Sequence, residues 1–570
     1  MKYRYLQSLV STVGAVILAA ATTASADPPD FSWSTVVNNT VLMPGAPFNR
    51  TFNSYNQPSV NVTGLVVIRA RSRGGGGQPA THGIYTRDMA VASSPIVRIL
   101  DRTSVVPEPN NLDTRFVETP SFPRIDMSSD TIATRGNHQP VWRYIPAGSD
   151  ETRAGTTGIY TNPFGPLITG ASKLGAVPDF GFFAVPGVEP PTPFDVFPGA
   201  PSVTMGGTIV LKGNYTVGGI GRTGVFFRTL KNKAIPSSEG ALEPAAGTQP
   251  VVMIANNTDT IIPGTTTVFG STSPPSAAGP KVVFAGFDNE ETPTRGGIYL
   301  VPLAHKPQLR TLVSIGEPVP GQSASQTFKH LGEGGAFDGR YVGFWGAWGT
   351  ATRTERLYCP TEGNKDRIDY CNRQLFCEDG TIEQDLNSTC DVTGCWQEKH
   401  VPVNQGIFVH DVSPGRTQVV ATTDSGFNEF LFWNYSGKTP CVSATGHGQE
   451  GAEDDGEPAR WRSSAFVAVS AGVGATFKAA FKAVKGDVVG IYLGHGPGQG
   501  IEPVLDTTMA GQMLDPEAPK GSTITELGLE REGLRGDWLA INAKMGIKGG
   551  TEEEGMAGIY VTRVPNTPRR

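Results

Sequence analysis

The chain has almost no helical periodicity, no block of basic residues and, beyond its first two dozen residues, no long apolar run. The first absence excludes folds built on repeating amphipathic helices. The second, with 47 Lys and Arg against 53 Asp and Glu and a net charge of −6, argues against nucleic acid as a partner. The third leaves no later stretch near the roughly 20 apolar residues of a membrane span, so membrane insertion is not expected. Cysteine numbers only 6 and never forms C-x-x-C, so no zinc site is expected. G-x-S-x-G and H-E-x-x-H are missing, which removes the commonest hydrolase and metalloprotease signatures.

The N-terminus carries an export pattern. Lys2 and Arg4 are basic, Leu9 to Ala21 is apolar with small polar interruptions, and Ala24-Ser25-Ala26 reads as a cleavage site. Residues 1–26 are therefore expected to be a signal peptide, with a soluble, secreted, extracellular protein from Asp27 onward. Cys359, Cys371, Cys377, Cys390, Cys395 and Cys441 crowd into one region of this exported chain, so three disulfides are expected, with the pairing open. N-x-S/T sequons at Asn38, Asn49, Asn61, Asn214, Asn256, Asn387 and Asn434 are candidate glycosylation sites.

Length alone suggests three or four domains, but an internal repeat overrides it. Gly, then Ile or Val, then Tyr or Phe recurs at Gly83, Gly158, Gly224, Gly297, Gly406, Gly490 and Gly558. Most spacings are 66 to 84 residues; the longer step from Gly297 to Gly406 holds five of the six cysteines, placing an insertion at about 350–400 in the fifth repeat. A β-rich run precedes each copy, as in Leu65-Val66-Val67-Ile68 and Lys281-Val282-Val283-Phe284. Pro-Ser steps at Pro58, Pro120, Pro201 and Pro275 lie upstream of several of these runs. Gly 71 and Pro 45 fall between the runs as turn punctuation. A further strand follows most copies but not the seventh, while Trp33-Ser34-Thr35-Val36-Val37 belongs to no repeat. An orphan strand at one end and a missing one at the other predict a closed ring: an all-β, seven-bladed β-propeller over 27–570, its last blade completed by the N-terminal strand.

The order Pro-Ser, N-x-x-G, β-run, G-I-Y, then L-x-x-V and G-x-x-x-P-G resembles the tandem NxxGxxAF-type repeats of secreted, largely uncharacterised propeller proteins. Asn61-Val62-Thr63-Gly64 shows the pattern best, while Thr204, Ala277 and Gly334 stand near the Asn position in other copies. The resemblance implies a propeller and leaves activity open.

Propellers hold ligands at the channel mouth or on the loops of one face. Aligning the repeats on their β-runs puts Arg124, Glu333 and Glu530 in one column with Pro58, Pro201, Pro274 and Pro458. Two carboxylates and an arginine near the axis suit general acid–base work on an anionic substrate, or the lining of a water-filled channel that holds a cation. The densest cluster is His330, Glu333, Asp338, Arg340 and Tyr341, followed by Trp345 and Trp348. Such residues suit β-elimination on a uronic-acid sugar, with the tryptophans stacking on sugar rings or packing between blades. Strand alternation sends Trp345 and Trp348 to opposite faces. Glu450, Glu453, Asp454, Asp455 and Glu457, with His447, form an acidic loop that could bind calcium or stay solvated; no other cofactor is indicated. The expectation is a secreted binding propeller for an extracellular glycan or protein, with a lyase on an acidic glycan as the alternative.

Overall fold

The computed structural model describes residues 31–565 except 47–48, 75–79, 111–113, 139–141, 145–151, 155–156, 237–241, 246, 334, 362–364, 375–387, 438, 440–458, 484–485, 497–498, 548 and 551–553. The signal-peptide segment 1–26 lies outside the described residues. The fold is all-β, with antiparallel pairing throughout. Seven sheets of four strand positions each follow one another along the chain, at 54–101, 116–172, 202–256, 271–314, 328–422, 467–506 and 523–563. The seventh is completed from the other end of the chain: Ser34–Asn38 pairs with Met556–Arg563, Ser34 opposite Val561 and Asn38 opposite Gly558. Val36 and Val37 are fully buried there against Ile559 and Val561.

Each sheet has a very short innermost strand, and these touch in chain order: Ser59–Val60, Arg124–Ile125, Ser202–Thr204, Ser276–Ala278, Ala336–Phe337, Val467–Ser470 and Leu534–Arg535, the last meeting the first. Side chains stitch this ring. The hydroxyls of Ser59, Ser202 and Ser276 donate to the carbonyls of Pro123, Pro275 and Gly335 in the following sheet, at 3.1, 3.0 and 2.8 Å. Two residues further on, Asn61, Thr204 and Ser470 donate to Ser129, Gly279 and Gly536, and Asp126 and Asp338 accept from the backbone N–H of Gly206 and Ala471. Each buried bond contributes about 1 kcal/mol and leaves a costly orphan if broken. The Pro-Ser steps at 58, 201 and 275 are thus joints between sheets. In the second sheet the equivalent step is Pro123-Arg124, not Pro120-Ser121, because Arg124 pairs with Ala133 as Ser59 pairs with Val67.

The repeated Gly-Ile-Tyr has an equally local cause. In all seven sheets the register shifts between the third and fourth strands at this motif, for example between Ile84 and Tyr85 and between Ile298 and Tyr299. The bulge brings the fourth strand's backbone against the glycine: a Cβ on Gly158, Gly224 or Gly558 would stand 2.9, 2.7 or 2.7 Å from the carbonyl oxygen of Ala171, Ala255 or Val37. The aromatic that follows is buried. In six sheets it meets a phenylalanine from the loop or strand leading into the ring, Phe52, Phe116, Phe194, Phe269, Phe328 or Phe427, edge to face at 4.9–5.3 Å. In the seventh, the Tyr560 hydroxyl donates to Asp515 instead.

The insertion is an arm. Tyr341–Tyr358 and Gly394–Asp411, 18 residues each, pair as sheet strands to Trp348 and Asn404, then continue as a hairpin from Thr352–Pro402 to Tyr358–Trp396. Disulfides Cys359–Cys371 and Cys390–Cys395 and the helix Lys365–Cys371 finish its tip. Cys377 and Cys441 lie outside the described residues. Disulfides point to an oxidising environment. No helix among the described residues is long and apolar enough to cross a membrane.

Candidate axial cavity

A cavity of about 870 Å³ opens where segments leading into the inner strands of the second to seventh sheets converge. Its floor holds Arg124 and Glu530, joined by an ion pair of 2.8 Å, with Arg531 beside them. Glu333 lies on the wall and is exposed. Arg124, Glu333 and Glu530 therefore do meet in one cavity, but not as one column. Glu333 precedes by three residues Ala336, the strand equivalent of Arg124. Arg124 occupies the position of a bridging serine and spans to the seventh sheet by its length. The inner strands are two to four residues long, and irregular lead-ins of differing length displaced the alignment.

The other predicted cluster is divided: Glu333 and Trp345 line the cavity, while Asp338, Arg340 and Tyr341 meet at a turn away from it. Arg340 and Tyr341 sit at the turn beyond the inner strand, where the Arg340 guanidinium grips Asp411 through Nε at 3.1 Å and Nη2 at 2.7 Å and stacks over the Tyr341 ring at 5.1 Å. Asp338 is consumed in that turn, accepting from the N–H of Arg340 and Tyr341. His330 is exposed, and neither it, Arg340 nor Tyr341 lines the cavity. Trp345 and Trp348 pack into different cores on opposite faces of their sheet. Trp348 is 3% exposed and stacks edge-on against Phe408, so it is a packing residue and not a ligand platform. Trp345 forms part of the cavity wall, its Nε1 donating to Gln405 at 3.0 Å.

The mouth is built by parts with no repeat signature. The hairpin Phe432–Ser436 with Arg460–Ser464 brings Trp433, Trp461 and Arg462 to the cavity, and the arm adds Gln397 and Lys399. The two lean on each other: Trp433 Nε1 donates to Glu355 at 3.2 Å, Arg353 pairs with Glu429, and Tyr435 and Trp461 join the apolar cluster around Cys359, Cys371 and Cys395. Arg460 reaches Glu290 at 2.6 Å and Glu291 at 3.8 Å on the fourth sheet, tying the hairpin across the rim. The sequence signal for this hairpin was the pairing of Phe432-Trp433-Asn434-Tyr435 with Arg460-Trp461-Arg462, hidden by the long segment between them.

Among the sequons, three are corrected. Asn38, Asn61 and Asn256 are buried, and their Nδ2 atoms are engaged by Asp515, by Ser129 and by Tyr215. Their Oδ1 atoms accept from the Thr two residues on or from its neighbours. Asp101 and Asp506 make the same turns with Thr103 and Thr508. N-x-T at these sites is turn chemistry. Asn49 and Asn434 are exposed, Asn214 is half-buried, and Asn387 lies outside the described residues. The acidic loop at Glu450, Glu453, Asp454, Asp455 and Glu457, with His447, also lies outside them. Among the described residues no group of three or more His, Cys, Asp or Glu is placed to hold a metal.

No protein-family model and no curated protein matches the chain. Among solved structures the chain is similar to Zg3597, a family 117 glycoside hydrolase from the marine bacterium Zobellia galactanivorans, at 11% identity and TM-score 0.22 over 60% of this chain and 88% of that one. It is similar to the periplasmic gluconolactonase PpgL of Pseudomonas aeruginosa at 12% identity and TM-score 0.22, over 79% and 95%. It is similar to the tricorn protease at 12% identity and TM-score 0.22, over 89% of this chain and 35% of that one. Identities and TM-scores this low carry no argument about activity.

Proposed function

We propose that this chain is a secreted, seven-bladed β-propeller of the NxxGxxAF-like type that binds an extracellular glycan in its axial cavity, without nucleic acid or membrane as a partner. One observation carries the reading: a cavity of about 870 Å³ whose wall includes Trp345, Trp433 and Trp461 and whose floor holds Arg124, Glu530 and Arg531. That size lies within the range of small-ligand sites, and aromatic faces beside convergent polar groups suit sugar rings, apolar on their faces and polar at their rims. A protein segment is the rival occupant. A lyase is the less supported reading, because His330, Arg340 and Tyr341 stand away from the cavity and Glu530 is already held by Arg124 and by the N–H of Arg531 at 2.8 Å.

The test is binding of purified protein to a panel of neutral and acidic polysaccharides, with chain length of the glycan followed in parallel. Retention without shortening is expected, and Trp433→Ala, at the rim, should weaken it about tenfold, a stacking contribution of about 1–1.5 kcal/mol. Unsaturated products that vanish in Glu333→Gln would instead establish the lyase; no retention of any glycan, with capture of a peptide ligand, would establish the rival occupant.

A further inference from the structure

The axis of the ring is charged, and its charges do not balance evenly along it. Three arginines converge there, Arg124, Arg531 and Arg535, at 2%, 7% and 1% exposure, against Glu530 and Glu532 at 7% and 2%. At one end Arg535 has Glu532 at 3.8 Å and feels Asp126 and Asp338 as well. The other end is the cavity floor. There Glu530 is the near carboxylate for two arginines, Arg124 at 2.8 Å and Arg531 at 4.0 Å, with Glu532 acting on Arg531 from further away. Arg531 spends its two terminal nitrogens on the carbonyls of Pro274 and Pro275, at 3.1 and 3.0 Å. Its Nε, and both Nε and Nη1 of Arg124, are buried donors with no hydrogen-bond partner among the described residues. Burial, with the repulsion of Arg124, pushes the Arg531 guanidinium down to about 9, the behaviour of a cation short of counter-charge.

A buried net positive charge with unmet donors is unfavourable unless an anion completes it. We propose that the cavity floor is a carboxylate subsite, in which Arg124 and Arg531 receive the carboxylate of a hexuronate residue whose neighbouring sugars lie toward Trp433 and Trp461. The inference rests on the reading of the cavity as a glycan site and names the class of glycan. The carboxylate brings the missing counter-charge and acceptors for the orphaned donors, while a neutral sugar brings only hydroxyls. Arg124 stands at the position held by Ser59, Ser202 and Ser276 in three other sheets and by Ala336 and Ala468 in two more, so it alone among these six residues brings a long cation to the axis.

The test uses the whole protein and titration calorimetry with a trimer of hexuronates, the same trimer with its carboxyl groups reduced to alcohols, acetate, and an oligoglutamate peptide. The uronate trimer is expected to bind about tenfold to a hundredfold more tightly than the reduced trimer, the range for charged hydrogen bonds. In Arg531→Met, shown to be folded by its melting profile, the two trimers should bind alike. That comparison in the unaltered protein needs no variant, so a misfolded Arg531→Met leaves the proposal testable. Equal binding of both trimers overturns the carboxylate subsite and leaves the glycan cavity standing. Binding of neither trimer overturns both. Acetate competing as well as the uronate, or oligoglutamate binding more tightly, overturns the assignment to a sugar.

Discussion

At the scale of single residues, His82 is the most informative titrating group. Burial, reinforced by Arg69, Arg102 and Arg71, lowers its pKa from 6.5 to about 4. The folded value is depressed, so the unfolded chain takes up a proton first as the pH falls: the stability that His82 contributes is complete above about 6.5 and is lost on the way down through 4. Between pH 7 and 5 the loss should be on the order of 1–2 kcal/mol. Urea unfolding at both values should show that His82→Gln removes this part of the pH dependence, leaving the drift of His410, which burial also lowers. Nothing in the sequence marks His82 as special, because its environment comes from arginines on neighbouring strands. The sequons teach the converse. Asn38, Asn61 and Asn256 carry a legible pattern, but Asp101 and Asp506 occupy equivalent turns, so the pattern reports a local hydrogen bond and not a modification.

The element scale was the most legible. Seven Gly-Ile-Tyr copies mark seven third strands, and in six sheets the β-run before them is the second strand, because bulge and burial demand those residue types; in the sixth, the run Ala465-Phe466-Val467-Ala468-Val469 falls on the inner strand Val467–Ser470, and the second strand is Gly474–Ala483. A β-carbon on Gly297 would fall far inside contact distance of the Val313 carbonyl oxygen, whereas one on Gly221 meets nothing within 4 Å. Gly297→Ala should therefore destabilise by about 2–3 kcal/mol, and Gly221→Ala by less than about 0.5, in equilibrium urea unfolding. Equal effects would mean that the glycine serves only backbone freedom. What the sequence hid at this scale were the inner strands. Two residues give no period, so alignment on the β-runs sets Arg124 beside Glu333 although their strand positions differ by three residues, and nothing in the sequence marks Arg531 and Arg535 as axial. The six phenylalanines facing the repeated aromatics escaped for a similar reason, since most of them lie in irregular segments.

For the whole molecule, the seventh sheet decides cohesion. Removing residues 31–38 would uncover Ile559 and Val561, lose the burial of Val36 and Val37, and leave Met556–Arg563 as a raw edge. The loss is on the order of 5–10 kcal/mol, comparable to the whole stability of an ordinary domain. Size-exclusion chromatography should show association or loss of the monomer, and a truncated protein that stays monomeric with an unchanged melt would refute the role of closure. The orphan strand made this feature readable in the sequence, since one end lacked what the other had in surplus. The cavity mouth was not readable, because the arm and the 432–464 hairpin are unique additions that obey no repeat. That closing strand also sets a timetable for synthesis. The Thr562 hydroxyl donates to the Ser32 carbonyl across 530 positions of chain. At about 5–20 residues per second, the earliest strand waits roughly half a minute to two minutes for its partner to be made. Six sheets can form as they emerge, but the first strand must stay unpaired all that while, which makes newborn, unfinished chains the state most exposed to mispairing and most in need of a chaperone.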